Sequence, residues 1–268
     1  MLVDTHAHLN FLEFAGDIDS VITRAREAGV AKIVCASSNL ADSQLAVEIS
    51  KKYPEIVFAA GGIHPQETDP ERGDSIEKQL EKLAGLAKNE NLIAIGECGM
   101  DLSPAPPGEK DRTLPDQEKL FRGQVEVARK QKLPLIIHVR KAFDEALKIL
   151  SDYNDIRGVF HCYYGGKKRL DEVIRRGFFF GFDGNLTYDP GLQNVAALVP
   201  LEKILVETDA PFLAPEPHRD ERNEPAYVKI VASKLAELKN IPLEEIEKIT
   251  TTNAQILFFY ERQNNPLH

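Results

Sequence analysis

Apolar positions divide the chain into eight short runs, and longer stretches of mixed apolar and polar residues lie between them. The short runs are rich in β-branched and aromatic residues and are apolar almost without interruption, which is typical of strands buried on both faces of a parallel sheet. We therefore predict eight strands, at residues 1–8, 32–37, 56–63, 92–98, 134–139, 158–163, 178–183 and 203–208.

The stretches between the runs have the spacing of amphipathic helices. In residues 17–29, apolar side chains recur every three or four positions, and the segment ends at Gly29, a favoured residue just beyond a helix. Residues 74–88 begin with Asp74 as a candidate N-cap. Further helices are predicted at residues 40–52, 115–132, 141–152, 167–176, 190–199, 225–239 and 243–259.

The alternation of strands and helices predicts the fold. Eight such units in 268 residues indicate an α/β protein, a (β/α)8 TIM barrel that spans residues 1–268 as a single domain. Residues 102–114 contain three prolines and one glycine, and we interpret them as a loop because the alternation resumes after them. A doubly wound open sheet is the structural alternative. It favours a glycine-rich phosphate turn after the first strand, and no G-x-G-x-x-G pattern occurs there.

Composition and charge narrow the classes of function. The formal net charge of −9 gives no general attraction to nucleic acid or to an anionic membrane. A bound cation would change the local field, so a nucleic-acid substrate is not excluded. Three cysteines and the lack of a long apolar run predict a cytoplasmic protein without a disulfide framework, a membrane segment or a leader. No obligate protein partner is predicted.

Histidines and acidic residues concentrate at the carboxyl ends of the predicted strands, where barrel enzymes build their active sites. Five of the seven histidines lie there. His6 and His8, two apart in an extended strand, point to the same side. Glu97 is notable because an unpartnered carboxylate inside an apolar strand is costly. The residues at these ends are His6, His8, His64, Glu97, His138, His161 and Asp209.

A metal centre explains this combination better than separate structural roles. Imidazoles and carboxylates without a thiolate cluster suit Zn²⁺, Mn²⁺, Fe²⁺ or a magnesium-like ion. Four histidines and two carboxylates exceed the needs of one ion, so we predict two divalent ions that share a carboxylate and activate a water for hydrolysis. Cys98 and Cys162 directly follow Glu97 and His161, and strand alternation turns them away from the site.

Several short motifs occur along nearly the whole chain. They are DTHAHL at 4–9, GIHP at 62–65, IGECGMD at 95–101, LPLIIHVR at 133–140, FHCYYG at 160–165, ETDAPFL at 207–213, RNEP at 222–225 and TTNAQILF at 251–258. In this combination the chain resembles the TatD family of metal-dependent deoxyribonucleases, within the amidohydrolase-like TIM barrels. Each motif alone is weak, and DxHxH occurs in many metal hydrolases, but their joint occurrence is specific.

The resemblance implies a role for each matching residue. One ion would be bound by His6, His8, Glu97 and Asp209, and the other by Glu97, His138 and His161. Asp209 would also be the catalytic base, and Glu97 would bridge the ions. His64 would act in catalysis by contacting the substrate phosphate or the leaving group. Arg140 and Arg222 would add contacts to substrate phosphates.

The predicted function is a divalent-metal-dependent hydrolase that uses two ions, Mg²⁺, Mn²⁺ or Zn²⁺. DNA is the predicted substrate, cleaved at phosphodiester bonds by attack of a metal-bound hydroxide. The alternative is a hydrolase of ester or amide bonds, such as aminoacyl-tRNA esters; a non-catalytic protein on the same barrel is a third hypothesis. Gln66 replaces a histidine common in the family, and Tyr163-Tyr164 stands where Phe-Ser is common. Both departures affect the rim and substrate choice more than the ligand set.

Overall fold

Eight strands form one parallel sheet in the computed structural model, which describes residues 1–67, 74–104 and 112–259. The strands are β1 Leu2–Ala7, β2 Val30–Cys35, β3 Val57–Gly61, β4 Leu92–Asp101, β5 Leu135–Arg140, β6 Gly158–Phe160, β7 Phe179–Phe182 and β8 Ile204–Val206. Each strand pairs with the next one along the chain, from β1 to β8. This order, with helices between the strands, confirms the predicted (β/α)8 barrel.

The first and last strands meet at the seam of the barrel, near their carboxyl ends. The Asp209 N–H donates to the His6 carbonyl (2.9 Å), and the His8 N–H donates to the Ala210 carbonyl (2.7 Å). An isolated parallel bridge joins Ala7 to Ala210. Closure of the barrel therefore places Asp209 beside the two histidines of the first strand, although some 200 residues of chain separate them.

Helices cover the outside of the barrel. They are α1 Ile18–Glu27, α2 Leu40–Lys52, α3 Ile76–Leu86, α4 Leu114–Gln131, α5 Phe143–Leu150, α6 Leu170–Arg175, α7 Pro190–Ala196, α8 Val228–Lys239 and α9 Leu243–Ala254. Short 3-10 turns at Lys167–Arg169 and Pro225–Tyr227 precede α6 and α8, where the pattern predicted continuous helices. Within the described ranges, no helix combines the length and apolar character that a membrane span requires.

Helix ends follow local chemistry. Gly29 follows Ala28, the C-cap of α1, and has a φ of 91°, the left-handed conformation expected of the residue just beyond a helix. The predicted N-cap of α3 is one residue off. Ser75, not Asp74, caps this helix, because the Ser75 side chain accepts the N–H of Lys78. Most of the predicted loop at 102–114 lies outside the described residues.

The fourth strand is longer than predicted. Glu97 does not end it, because β4 continues to Asp101, which pairs with Arg140 of β5. Gly99 permits the close approach of the two strands. Its φ is 144°, and a Cβ at this position would lie 2.0 Å from the His138 carbonyl oxygen. The apolar run ends at residue 98, but the backbone pairing does not.

The sixth and eighth strands are shorter than predicted. β6 ends three residues early and β8 two residues early. The first N–H after each strand still bonds to the neighbouring strand, but the second one bonds to a buried carboxylate. The Cys162 N–H donates to Glu207 (2.5 Å), and the Thr208 N–H donates to Asp4 (2.9 Å). The predicted ligands that follow these strands therefore lie on loops anchored by side chains.

The barrel interior is filled by a separate apolar cluster. Every strand contributes to it, and it continues into Ala254 and the π-helical turn Gln255–Phe259. Phe259 packs against Phe58 at the start of β3, with ring centroids 4.9 Å apart. The predicted helix 243–259 is thus two pieces, and the second closes the amino-terminal end of the barrel, opposite the strand ends that carry the histidines.

Two buried glutamines on α4 hold the backbone segments at the carboxyl ends of β3 and β4. Gln124 accepts the Ile63 N–H and donates to the Ile63 carbonyl, both at 2.8 Å. Gln117 accepts the Asp101 N–H (2.8 Å) and donates to the Asp101 carbonyl (2.7 Å). The glutamines are two helical turns apart and so share one face of α4. They fix the backbone beside His64 and at the end of β4.

Replacement of Gln117 by leucine is expected to lower the free energy of unfolding by about 1–3 kcal/mol, because the buried N–H of Asp101 loses its partner, whereas the Asp101 carbonyl keeps the Gln66 side chain. Urea unfolding followed by circular dichroism measures this loss. Gln44→Leu, on the exposed side of α2, is the matched control and is expected to change the free energy by less than about 0.5 kcal/mol. If the two variants lost equal unfolding free energy, Gln117 would not be holding the end of β4.

Candidate metal centre

Six side chains from five strands, or from the loops directly after them, meet in one place. They form overlapping groups of three whose nitrogen and oxygen atoms lie within 4.8 Å of one another. The elements that supply them are β1, β4, β5 and the loops after β6 and β8. The side chains are His6, His8, Glu97, His138, His161 and Asp209. The structure thus brings together all six residues that the sequence nominates as metal ligands.

The first half of the cluster contains the two histidines of the amino-terminal motif. Their Nε2 atoms lie 3.2 Å apart, so His6 and His8 do point to the same side. Asp209 Oδ1 lies 3.4 Å from each of these nitrogens. The two oxygens of Glu97 face the same pair, with Oε1 3.5 Å from His6 Nε2 and Oε2 3.7 Å from His8 Nε2.

The second half repeats this arrangement with another histidine pair. His138 Nδ1 and His161 Nε2 lie 3.1 Å apart. Glu97 Oε1 is 2.8 Å from His161 Nε2 and 3.7 Å from His138 Nδ1. The ring of His6 also stacks on that of His161, with centroids 4.2 Å apart. Glu97 therefore stands between two histidine pairs and contacts both.

Asp101 is a site residue that sequence reasoning missed. Its Oδ2 lies 3.2 Å from His138 Nε2, on the side of the ring away from the cluster centre. Its Oδ1 accepts bonds from the Ser103 N–H (2.7 Å) and hydroxyl (2.5 Å). A carboxylate behind a histidine fixes the orientation and basicity of the ring. The available signal was the spacing of Asp101 four residues after Glu97, but the predicted strand ended too early to reveal it.

Two further carboxylates support the cluster from below. Asp4 accepts bonds from the Thr208 N–H (2.9 Å) and hydroxyl (2.7 Å), and Glu207 accepts the Cys162 N–H (2.5 Å). Both carboxylates are fully buried. Burial raises the pKa of Asp4 to about 7 and the pKa of Glu207 well above its usual range. Asp4 anchors the backbone just before Asp209, and Glu207 anchors it just after His161. Neither carboxylate belongs to the converged groups.

The pKa shifts of the central residues give them the protonation states that bind cations. Burial by itself raises the pKa of Glu97, but the facing imidazoles, His161 foremost, outweigh it and hold this pKa well below its usual range. Burial and the neighbouring His161 lower the pKa of His6 well below its usual value. At pH 7, Glu97 is therefore ionised and His6 is neutral, as metal ligands must be.

Two histidines of the cluster differ from His6, because the pKa of His8 and that of His138 are raised. The larger shift is that of His138. Burial lowers its pKa, but its hydrogen bonds to Asp101 and Glu97 outweigh burial and raise the pKa to about 9. A cation bound by His138 would therefore displace a proton, which makes binding at this half of the cluster stronger as the pH rises.

The residues present fit divalent cations. Imidazole nitrogens and carboxylate oxygens are the donors that zinc, manganese and related ions take. The ring nitrogens that face the centre meet other ring nitrogens, with His6 Nε2 3.2 Å from His8 Nε2 and His138 Nδ1 3.1 Å from His161 Nε2. Among the described residues, the buried Nδ1 atoms of His6 and His161 have no hydrogen-bond partner. The cluster is thus better suited to holding cations than to serving as a closed hydrogen-bond network.

His64 lies at the edge of the cluster. Its ring centroid is 4.4 Å from that of His138, and it groups with His138 and Asp101. Burial lowers the pKa of His64 to about 3, so the ring is neutral at pH 7. Its Nδ1 accepts the Gln66 N–H (3.2 Å), and the Gln66 side chain donates to the carbonyls of Asp101 and Ser103. Gln66 therefore links the segments after β3 and β4.

The two predicted arginines have different surroundings. Arg140 is exposed at the end of β5, two residues after His138, and no described residue pairs with its guanidinium. Arg222 instead bonds both oxygens of Asp17 (2.9 and 2.7 Å) and the Glu13 carbonyl. The structure does not bring Arg222 into the cluster, and its substrate contact stays a prediction.

The cysteines also differ from each other. Cys98 is buried in the core, with its Sγ 3.5 Å from the Ile136 carbonyl oxygen. Cys162 lies beyond β6 with a φ of 44°, so strand alternation does not govern its direction. Its thiol contacts Asp183, and burial raises its pKa well above the usual range. Cys162 does not belong to the converged groups of metal-ligating side chains among the described residues.

A parallel (β/α)8 barrel whose strand ends converge on histidines and carboxylates defines a metal-dependent hydrolase. Comparison with known proteins identifies the family. The family model for TatD-related DNase matches residues 3–259, and the chain belongs to this family.

Individual relatives agree along nearly their whole length. The uncharacterized metal-dependent hydrolase YabD of Bacillus subtilis is 36% identical, over 96% of this chain and 99% of the relative. A protein of Erwinia tasmaniensis called 3′-5′ ssDNA/RNA exonuclease TatD is 30% identical, over 96% of this chain and 99% of the relative. The crystal structure of YjjV, a TatD homologue of Escherichia coli, superposes with a TM-score of 0.85 at 28% identity, covering 99% and 98% of the two chains.

Proposed function

We propose that this protein hydrolyses phosphodiester bonds in nucleic acid, with DNA as substrate and two divalent ions as cofactors. The observation that carries the proposal is the position of Glu97 Oε1, which faces nitrogens of His6 (3.5 Å), His161 (2.8 Å) and His138 (3.7 Å). A carboxylate shared by two ligand sets suits paired ions, an arrangement common in phosphodiester hydrolysis. The printed activity of the Erwinia tasmaniensis relative supports a nucleic-acid substrate.

Each half of the metal-ligand cluster is proposed to bind one ion. His6, His8 and Asp209 would hold one ion, His138 and His161 would hold the other, and Glu97 would contribute to both sites. When bound, the ions supply a water of lowered pKa and charge stabilisation on the phosphate; Mg²⁺, Mn²⁺ and Zn²⁺ all suit these donors.

Asp209 is the proposed proton acceptor. Its side chain is 13% exposed, against 6% for Glu97, so it is the more accessible of the two central carboxylates. Its backbone is held by the hydrogen bond to the His6 carbonyl (2.9 Å). A general base needs both access to the attacking water and a fixed position.

Substrate positioning falls to His64 and Arg140. The neutral His64 ring donates a hydrogen bond to a phosphate oxygen or to the leaving oxygen. Arg140 is an exposed cation at the same rim and pairs with a neighbouring phosphate. Because the net charge is −9, the ions and this arginine supply the positive field at the site.

A cleavage assay tests the proposal. We expect the purified protein to degrade end-labelled single-stranded DNA with Mg²⁺, Mn²⁺ or Zn²⁺, to lose this activity with a chelator and to regain it when the ion is restored. His161→Ala is expected to abolish cleavage, whereas His218→Ala, a histidine of an exposed loop, leaves it unchanged. Duplex DNA, RNA and an aminoacyl ester complete the panel. Hydrolysis of the ester with no cleavage of any nucleic-acid backbone would refute the proposal.

A further inference from the structure

An aromatic corner, formed by Phe11 and Phe212, lies directly beside the metal-ligand cluster. The Phe11 ring stacks on the His8 ring, with centroids 4.5 Å apart and planes at 21°. The Phe212 ring meets both rings edge-on, with its centroid 6.0 Å from Phe11 and 6.2 Å from His8. Phe212 therefore contacts His8, which faces both Glu97 and Asp209.

Phe212 is exceptional among the phenylalanines of the chain. All thirteen lie within the described residues, and ten of them are buried, whereas Phe11 and Phe58 are partly buried. Phe212 is the one that is exposed, at 48% of its surface. An aromatic ring held open to water beside a site is a typical recognition feature, since aromatic rings contribute large contact areas with little loss of freedom.

The loop that carries Phe212 is firmly held. The Phe212 N–H donates to the Asp209 carbonyl (2.9 Å). The fully buried Asn223 amide donates to the carbonyls of Thr208 (2.7 Å) and Phe212 (2.6 Å). These bonds place the ring before any ligand arrives, and its exposure is not a consequence of a loose loop.

We propose that Phe212 is a nucleobase subsite: its open face stacks the base of a nucleotide whose phosphate lies at the metal-ligand cluster. This inference rests on the proposed function. Stacking on Phe212 supplies affinity that the acidic protein does not obtain from charge, because an aromatic ring binds any base through its π face. It also sets the substrate form, since both faces of a base inside a duplex are already covered. Phe11 supports the Phe212 ring from one side and stacks on His8.

Single-stranded substrates with and without bases test the subsite. One strand carries thymidines, and the other has tetrahydrofuran abasic units and the same phosphates. We expect the wild-type protein to have a kcat/KM about tenfold or more higher on the thymidine strand, the contribution typical of one stacked base. Phe212→Ala is expected to lower the thymidine value to the base-free value and to leave the base-free value unchanged.

Three further variants separate stacking from packing. Phe212→Trp retains a π face and is expected to keep the preference for the thymidine strand, whereas Phe212→Leu retains apolar volume only and is expected to lose it. Leu198→Ala removes an apolar side chain of similar exposure (55%) at the opposite end of the barrel and is expected to change neither value. A Phe212→Ala variant that is impaired equally on both strands, or impaired on neither, would overturn the subsite, as would a wild-type protein that does not distinguish the strands.

A binding measurement keeps the subsite separate from the proposed activity. If the wild-type protein cleaves neither strand, the nuclease proposal fails, and fluorescence anisotropy of the same labelled strands then decides the subsite. Tighter binding of the thymidine strand that Phe212→Ala abolishes supports the base subsite on its own. Equal binding of the two strands, or binding of neither, refutes it.

Discussion

Glu97→Gln is expected to lower kcat/KM for nucleic-acid cleavage by roughly 10³-fold or more, because the paired ions contribute several kcal/mol of transition-state stabilisation and this carboxylate serves both. The amide retains the shape of the side chain and its position in β4 but loses the negative charge that faces His161, His138 and His6. Metal content should fall with the activity. Isothermal titration with Mn²⁺ or Zn²⁺ is expected to give two ions per chain for the wild type and fewer for the variant.

The control for this change is Glu48→Gln, an exposed residue on α2. It removes the same charge from a place far from the cluster and is expected to leave both activity and metal content unaltered. Circular dichroism confirms that both variants fold. A Glu97→Gln protein that binds two ions as tightly as the wild type would show that Glu97 is not the shared ligand.

Asp209→Asn is expected to lower kcat by about 10²–10⁴-fold, the usual contribution of a positioned general base. The substitution is gentle to the backbone. Asp209 has a φ of 57°, and asparagine adopts this left-handed conformation readily. The loss is therefore assigned to the missing carboxylate rather than to a displaced loop. Steady-state kinetics at saturating metal measures it.

Excess metal distinguishes the two roles proposed for Asp209. A residue that acts only as a ligand is rescued when the ion concentration is raised, whereas a missing base is not. We expect the kcat deficit of Asp209→Asn to persist at saturating Mn²⁺. Asp220→Asn, an exposed aspartate further along the chain, is the matched control and should behave as the wild type. Full recovery of Asp209→Asn with metal would remove the base from the mechanism.

The proposed site depends on residues that do not belong to the metal-ligand cluster but hold its members in place. Gln117 holds Asp101, and Asp101 in turn faces His138. Likewise, Asp4 holds the Thr208 N–H, next to Asp209. These contacts join the sheet, the helices and the loops into one support for the cluster, which is how a barrel keeps ligands from five strands and their loops in register.

Much of the architecture could be predicted from the sequence. Buried parallel strands are apolar without interruption and helices repeat every three to four residues, so the two kinds of element differ in period and their alternation indicates the barrel. The cluster was predicted from polar residues that interrupt these apolar runs. A buried histidine or glutamate at such a position is costly unless it has a partner. All six nominated ligands do converge.

The sequence by itself determined the eightfold strand–helix alternation, the rim on which the polar residues gather, and the chemical types of donor that gather there. Only the tertiary structure decided that Glu97 stands between two histidine pairs, that Asp101 backs His138, and that Arg222 bonds Asp17. The physical reason is that period and composition act over a few residues of chain. Contacts between side chains depend instead on backbone register and barrel closure, which bring segments up to some 200 residues apart to within hydrogen-bond distance.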